Sequence, residues 1–420
     1  MIEHDVIRQA KPRAGDKSSG AQLDVQKAMS EDQQAHRPVV GVFAEPLLPF
    51  SMTFIRAQAS ALRGFKPFYL SPQRSSPSLD ISPIPSVVIC DSPNGHKGWN
   101  LCKQIPFKVF GYDPFFFRQV RKHGPALIHA HSGPAGLTVQ PLARWLKVPM
   151  IVTFHGADAT LTDEYLLRSY YRVREYSRKR KWFQQQNHPI IAVSDFIRKA
   201  LIAQGFCEDR IVVHYIGVDT NFFSPLPEVK REPVVLFVAR LVEKKGCEYL
   251  IQAMREVQEA EPKAELVVIG DGELRKQLEH LAGQTLRNYH FLGACSPEVV
   301  RSWMNRASVF SVPSLRAHDG DAEGFGMVFA EAQAMGLPVV SCWSGGIPEA
   351  VKHGVTGLLA PEKNWRSLAS HIVSLLRDSN LWLRMSQAGR QRVQSSFDLT
   401  AQTVKLEEIY EKALAESLSA

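Results

Sequence analysis

The sequence predicts an α/β protein of two Rossmann-like, doubly wound domains that face each other across a cleft. Short apolar runs alternate with segments of helical periodicity, the pattern of a parallel sheet with helices on both faces. The alternation pauses once, at a proline-rich stretch ending at Pro233, and then restarts. The chain is also too long for one ordinary core, so two domains of about 180 residues each are expected.

Residues 1–37 lack hydrophobic periodicity and are rich in Lys, Asp, Ser and Gln, which is the composition of a disordered or loosely attached leader. The first domain spans 38–218. VVGVFA (39–44) reads as a buried strand, followed by a loop and a helix containing Phe54, Ile55 and Leu62. Further strand-like runs are FYL (68–70), SVVIC (86–90), ALIHAH (126–131), MIVTFH (150–155), IIAVS (190–194) and RIVVHYI (210–216). Helical patterns lie around 114–122, 134–146, 163–186 and 196–204. Residues 219–233 form the linker, with three prolines and mixed charge in SPLPEVKREP. The second domain, 234–398, reads as the strands VVLFVAR (234–240), ELVVIG (265–270), YHFLG (289–293), ASVFSV (307–312) and PVVSC (338–342), with helices between and after them. The last helix, 399–420, is amphipathic and is expected to cross back to the first domain. Two such folds hold a ligand at the C-terminal ends of their strands.

The stretch the chain is organised around is PSLRAHDGDAEGFGMVFAEAQAMGLPVVSCWSGG, from Pro313 to Gly346. A strand leads into a polar loop, and GMVFAEAQAM then forms a helix that ends at Gly336, just before Pro338. Glu323 and Glu331 bracket this junction. Eight helical residues rise about 12 Å, whereas a glycosidase carboxylate pair lies roughly 5 to 10 Å apart. The two acids therefore touch different parts of one extended ligand. Between them, Gly324, Phe325 and Gly326 bring backbone amides close, and the helix N-terminus favours phosphate. A sugar, a phosphate bridge and a ribose fit that layout.

Arg240 ends the first strand of the second domain and Lys245 follows in ARLVEKKG, so both cations fall at the sheet edge where they clamp a diphosphate. In IGDGELR, Asp271 sits between two glycines in a strand-to-helix turn that borders a nucleotide base; the pattern is not G-x-G-x-x-G, so no dinucleotide fingerprint is present. His155 opens HGAD at the cleft edge of the first sheet and reads as a sugar contact, with Asp158 on the same loop. His129 and His131 lack a third metal ligand. Asp319-Gly320-Asp321 resembles a metal-holding D-x-D, but nothing nearby completes an oxygen cage, so it reads as a solvated, flexible loop.

Charge is uneven: residues 1–232 carry 30 Lys+Arg against 20 Asp+Glu, and 233–420 carry 20 against 22. The first half should face something negative. YLLRSYYRVREYSRKRKWF (165–183) concentrates seven Lys/Arg among aromatics and reads as a helix that meets an anionic membrane or a lipid diphosphate. No recognition motif accompanies it, so nucleic-acid binding is not expected. No apolar stretch approaches 18 residues and the N-terminus is polar, which points to the cytoplasm. Six scattered cysteines with no C-x-x-C pair read as small buried residues in a reducing compartment.

Taken together, ARLVEKKG, IGDGELR, the 313–362 stretch and HYIGVDTNFFSP resemble the signature of glycosyltransferase family 4, retaining enzymes of the GT-B fold. PFSMTFIRAQ, IHAHSGPAGL and VTFHGAD are most similar to the branch that builds bacterial exopolysaccharides such as colanic acid. The resemblance makes the first domain the acceptor domain and the second the nucleotide-sugar donor domain. It implies that Arg240 and Lys245 bind the diphosphate, Glu331 the ribose hydroxyls, and Glu323 and His155 the donor sugar. It also implies transfer of a hexose to a saccharide or polyprenyl-diphosphate-linked acceptor, without a metal or other cofactor, at the inner face of the membrane. Ala239 replaces the usual glycine before Arg240, Ile216 stands where asparagine is common, and EPLLPFSMTF replaces the glycine-pair loop of the acceptor side. A sugar-nucleotide epimerase of similar shape, or a non-catalytic sugar-nucleotide-binding subunit, are the alternatives.

Overall fold

Runs of β-branched and other apolar residues bounded by Gly, Pro and polar turns form thirteen strands among the described residues, and all of their sheet pairings are parallel. The structure, a computed structural model, describes residues 37–49, 52–75, 79–90, 106–107, 111–169 and 171–419. The leader expected at 1–37 therefore lies, apart from Arg37, outside the described residues.

The first sheet has seven strands: β1 (Val39–Phe43), β2 (Lys66–Gln73), β3 (Ser86–Cys90), β4 (Pro125–His131), β5 (Met150–Phe154), β6 (Ile190–Ala192) and β7 (Ile211–Val213). Their order is β3-β2-β1-β4-β5-β6-β7, so the direction of winding reverses between β1 and β4. Its helices are α1 (Thr53–Ala61), α2 (Pro114–Lys122), α3 (Gly133–Leu146), α4 (Ala157–Thr160), α5 (Asp163–Arg168), α6 (Tyr171–Gln184) and α7 (Asp195–Ala203). The single helix expected at 163–186 is thus two, because the chain leaves helical geometry at Ser169, whose N–H bonds back to Leu166.

The second sheet repeats the plan with β8 (Val234–Val238), β9 (Glu265–Ile269), β10 (Tyr289–Gly293), β11 (Val309–Ser311), β12 (Val339–Cys342) and β13 (Gly357–Ala360), in the order β10-β9-β8-β11-β12-β13. Its helices are α8 (Cys247–Ala260), α9 (Arg275–Thr285), α10 (Pro297–Arg306), α11 (Met327–Ala334), α12 (Ile347–Ala350), α13 (Trp365–Arg377) and α14 (Ser379–Ser396). Strand β13 is absent from the sequence reading. Only Leu358 and Leu359 are strongly apolar there, and the strand pairs on one side alone, with β12.

The two sheets are joined at neighbouring crossings. Val218 and Asp398 form a parallel bridge, with Val218 N–H bonded to Phe397 O and Leu399 N–H to Val218 O. The chain then returns as α15 (Leu399–Ser419), whose Leu406, Tyr410 and Ala413 pack with Val40, Leu127, Ile151 and Ile191 of the first sheet. Glu407 accepts hydrogen bonds from the N–H groups of Arg63 and Gly64 at 2.7 Å each. This amphipathic helix therefore finds its apolar partner on the sheet it left some 180 residues earlier, a separation of the order of one domain.

Candidate active site

Residues separated by more than 100 positions converge where the loop after β5 meets the loop between β11 and α11. Gly324 lies against His155: a Cβ on Gly324 would stand 1.9 Å from the His155 carbonyl oxygen, so only glycine lets the two backbones approach this closely. Gly324 O accepts a 2.5 Å hydrogen bond from Ser194 Oγ, and Glu323 O accepts from Gly346 N–H at 2.8 Å. Gly326 has φ +83, the left-handed turn from which α11 begins. Phe325 turns its ring inward, against Tyr215 and Phe397.

Helix α11 has no side-chain cap, and among the described residues the N–H groups of Phe325, Gly326, Met327 and Val328 have no hydrogen-bond partner. These are the orphan donors of a helix start, aligned with the positive end of its dipole, and together they form a seat for an anion.

Beneath that seat Lys245 is ion-paired with Glu323. Burial pushes the Glu323 carboxyl up, but the attraction of Lys245 and then Lys244 outweighs it and holds the group below its ordinary range. Glu323 is therefore an anion in the folded protein. Glu331, in the second turn of α11, is the contrasting case: burial raises its carboxyl to about 7, and no partner among the described residues offsets this. Such a group gains most from hydroxyl donors on a ligand. Arg240, just past β8, is exposed and makes no ion pair among the described residues. Asp271, past β9, is also exposed; its Oδ1 accepts from Gly272 N–H at 2.8 Å and its Oδ2 lies 3.4 Å from Arg275.

On the opposite wall, His155 Nε2 lies 3.1 Å from His131 Nδ1, and the His155 ring rests 5.0 Å from that of Phe54. His155 Nδ1 is buried without a partner, a state that costs roughly 1–3 kcal/mol until something fills it. Burial lowers the imidazole to about 4, so the ring is neutral. Asp158, expected at the donor, is engaged here with the backbone of its own loop and of α3. Its Oδ1 accepts from the N–H groups of His155 (3.2 Å) and Gly156 (3.0 Å) and its Oδ2 from Gly133 (3.1 Å), so it fixes the histidine loop.

The segment Asp319–Asp321 departs from the solvated, flexible loop of the sequence reading. Asp321 is paired with Lys244 at 2.9 Å, Thr160 Oγ1 accepts from Ala322 N–H at 3.2 Å, and Thr162 N–H donates to Asp319 O at 2.9 Å. It is a strap between the two sheets. Among the described residues no group of three His, Cys, Asp or Glu side chains is placed to hold a metal ion. A second strap was also invisible in the sequence: Glu349 of α12 accepts from the Asp195 and Phe196 N–H groups of α7 at 2.8 Å each, and from Tyr215 Oη at 2.9 Å.

The basic stretch 165–183 turns Tyr165, Tyr171 and Trp182 outward and Tyr176 and Phe183 inward. Arg168, Lys179 and Arg180 are held in ion pairs with Glu164, Glu175 and Asp163, while Arg174, Arg178 and Lys181 remain exposed. No helix among the described residues is long and apolar enough to cross a membrane.

Two parallel sheets with their strand ends facing, a helix start between them and acids at either end of it are the GT-B glycosyltransferase arrangement. The chain belongs to that family: residues 50–222 match Glycosyltransferase Family 4 and residues 218–392 match Glycosyl transferases group 1. It is 33% identical over 289 residues to the amylovoran biosynthesis glycosyltransferase AmsK of Erwinia amylovora, covering 67% of this chain and 69% of that one. It is 29% identical to the putative colanic acid biosynthesis glycosyltransferase WcaL of Escherichia coli, covering 64% and 66%. Among solved structures, Anabaena HepE with UDP and glucose aligns over 90% of this chain and 100% of its own at a TM-score of 0.72 and 20% identity. Sucrose-phosphate synthase of Thermosynechococcus elongatus aligns over the same shares at 0.69 and 20%. At that identity the likeness concerns the fold.

Proposed function

We propose that this glycosyltransferase moves a hexose, with retention of configuration, from a nucleoside-diphosphate sugar to a saccharide acceptor carried on a lipid, in the assembly of an exopolysaccharide or other surface glycan. The observation that carries the reading is the open helix start of α11, with the paired Lys245 and Glu323 beside it and the uncommitted Glu331 further along the same helix. The amides, Lys245 and Arg240 stabilise the departing diphosphate, Glu331 accepts from ribose hydroxyls, and Glu323 and His155 orient the hexose. The bond from the anomeric carbon to the phosphate oxygen breaks while the acceptor oxygen bonds to that carbon on the same face. The acceptor proton passes to the departing phosphate. The names of AmsK and WcaL support the glycan class, and the UDP-bound neighbours support a nucleotide-sugar donor.

The exposed cations and aromatics of α5 and α6 fit a peripheral site on an anionic membrane surface, on the cytoplasmic side where nucleotide sugars are made. A panel of UDP- and GDP-hexoses, scored by thermal stabilisation and by hydrolysis, tests the donor class. The anomeric configuration of the product, read by NMR, tests retention. An inverted product, or no response to any nucleotide sugar, would overturn the reading.

A further inference from the structure

His155 faces the cleft with one nitrogen unpartnered, and its setting depends on a residue the reaction scheme leaves unused. His131 lies on β4 with its Nδ1 3.1 Å from His155 Nε2; the two rings are 19° from parallel with centroids 5.3 Å apart. His131 packs in turn against His129, at a centroid distance of 4.3 Å with the rings tilted by 35°. His129 is held at both nitrogens, Nδ1 2.7 Å from Tyr410 Oη of α15 and Nε2 2.6 Å from Thr153 Oγ1 of β5. Three imidazoles thus form a packed row from the crossing helix to the cleft: His129 and His131 are buried, and His155 ends the row partly exposed.

We infer that His131 is the positioning residue of His155: through the Nδ1–Nε2 hydrogen bond it fixes the ring and decides which tautomer His155 presents to the donor sugar. The inference rests on reading His155 as a sugar contact. Both rings are neutral, because burial holds His155 at about 4 and His131 well below the ordinary histidine value. One proton therefore lies between them. When His155 Nε2 carries it, His155 Nδ1 is an acceptor; when His131 Nδ1 carries it, His155 Nδ1 bears the hydrogen and donates. The unpartnered nitrogen meets a sugar hydroxyl as one or the other, and His131 is the group that makes the choice.

The test uses the full chain labelled with 15N-histidine. Imidazole 15N shifts report the tautomer directly, and a His155→Asn sample identifies the His155 signals. Wild type should show one fixed tautomer. His131→Phe keeps the ring stack but removes the nitrogen. It should average the His155 tautomers and lower turnover on the UDP- and GDP-hexose panel by about tenfold or more, with UDP and GDP affinity and the melting temperature unchanged. His131→Asn, whose amide falls where Nδ1 was, should restore both signals, whereas His131→Gln, whose amide falls where Nε2 was, should not. Unaltered tautomer and turnover in the Phe variant, or Asn and Gln variants that behave alike, would overturn the inference. If the Phe variant does not fold, the Asn and Gln pair decides alone. Full turnover in His155→Phe, which has no polar atom where Nδ1 was, would instead remove the sugar-contact reading while leaving the tautomer result intact.

Discussion

The two walls of the cleft are built on the same winding plan yet meet their ligand with opposite electrostatics. The second sheet brings charge: Lys245 against Glu323, Lys244 against Asp321, Arg240 at the rim and a helix start left open. The first sheet brings neutral imidazoles, each pushed down by burial. A buried ion survives only where a counter-ion compensates its desolvation, and the second wall supplies one for each acid it buries except Glu331. Buried histidines simply give up the proton. The wall with paired ions suits a leaving diphosphate, and the wall without them suits hydroxyl groups, where orientation matters more than charge.

Replacing Lys245 by alanine would break that contrast most severely. The change removes the cation ion-paired with Glu323 and leaves that acid with only the weaker attraction of Lys244, so turnover should fall on the order of a hundredfold, measured as initial rate on the responding nucleotide sugar. Unchanged turnover would take Lys245 out of leaving-group stabilisation.

Glu331 sharpens the contrast through pH. Its carboxyl sits at about 7 in the folded protein, against an ordinary 4.5. The folded state therefore holds a proton that the unfolded chain has lost between those values. Its contribution to stability is accordingly full below the ordinary value and declines as pH rises toward 7. Accepting ribose hydroxyls requires the ionised form, so UDP or GDP binding should release a proton and weaken by about tenfold per unit below pH 7. Glu331→Gln should flatten that profile and lower affinity by about tenfold. Calorimetry in buffers of different ionisation enthalpy measures both; a wild-type profile that is already flat would disconnect Glu331 from the ligand.

Much of the second wall was legible because its chemistry lies within one stretch, where glycines, a helix start and two acids follow each other in order. The ion pair of Lys245 with Glu323 was not, although both residues were singled out, because 78 positions separate them. The straps were less visible still. Thr160 with Ala322, Ser194 with Gly324 and Glu349 with α7 link the sheets through ordinary residues with no local pattern. Periodicity also ran past the break at Ser169 and missed β13, because it records apolar spacing and neither hydrogen-bond termination nor a two-leucine edge strand. The pair His129 and His131 did carry a signal, two histidines two apart on a buried strand; the sequence reading weighs it only as a metal site, which lacks a third ligand, whereas the partner of His131 is another imidazole.

Two smaller effects probe the contact between the walls and the surface behind the first. Gly324→Ala would force a methyl group onto the His155 carbonyl and should destabilise the protein by about 1–3 kcal/mol in denaturant titration. Its turnover should fall with it, because the walls are pried apart. A wild-type unfolding curve would mean the approach is not as tight as the backbones indicate. On the outer face, charge reversal at Arg174, Arg178 and Lys181 should reduce sedimentation with anionic vesicles, each residue contributing about 1 kcal/mol near the surface. Salt should act in the same direction, and absence of sedimentation at low salt would discard the membrane surface.

The crossing helix α15 sets the order in which this molecule can be completed. Leu406, Tyr410 and Ala413 close an apolar layer whose other members, from Val40 to Ile191, leave the ribosome first. Until residues 399–419 emerge, the first sheet waits with an uncovered flank and with His129 short of its Tyr410 partner, while the second sheet, which is contiguous in sequence, already holds all of its strands. A nascent chain halted before Leu399 should accordingly be a chaperone client through its earliest-made half.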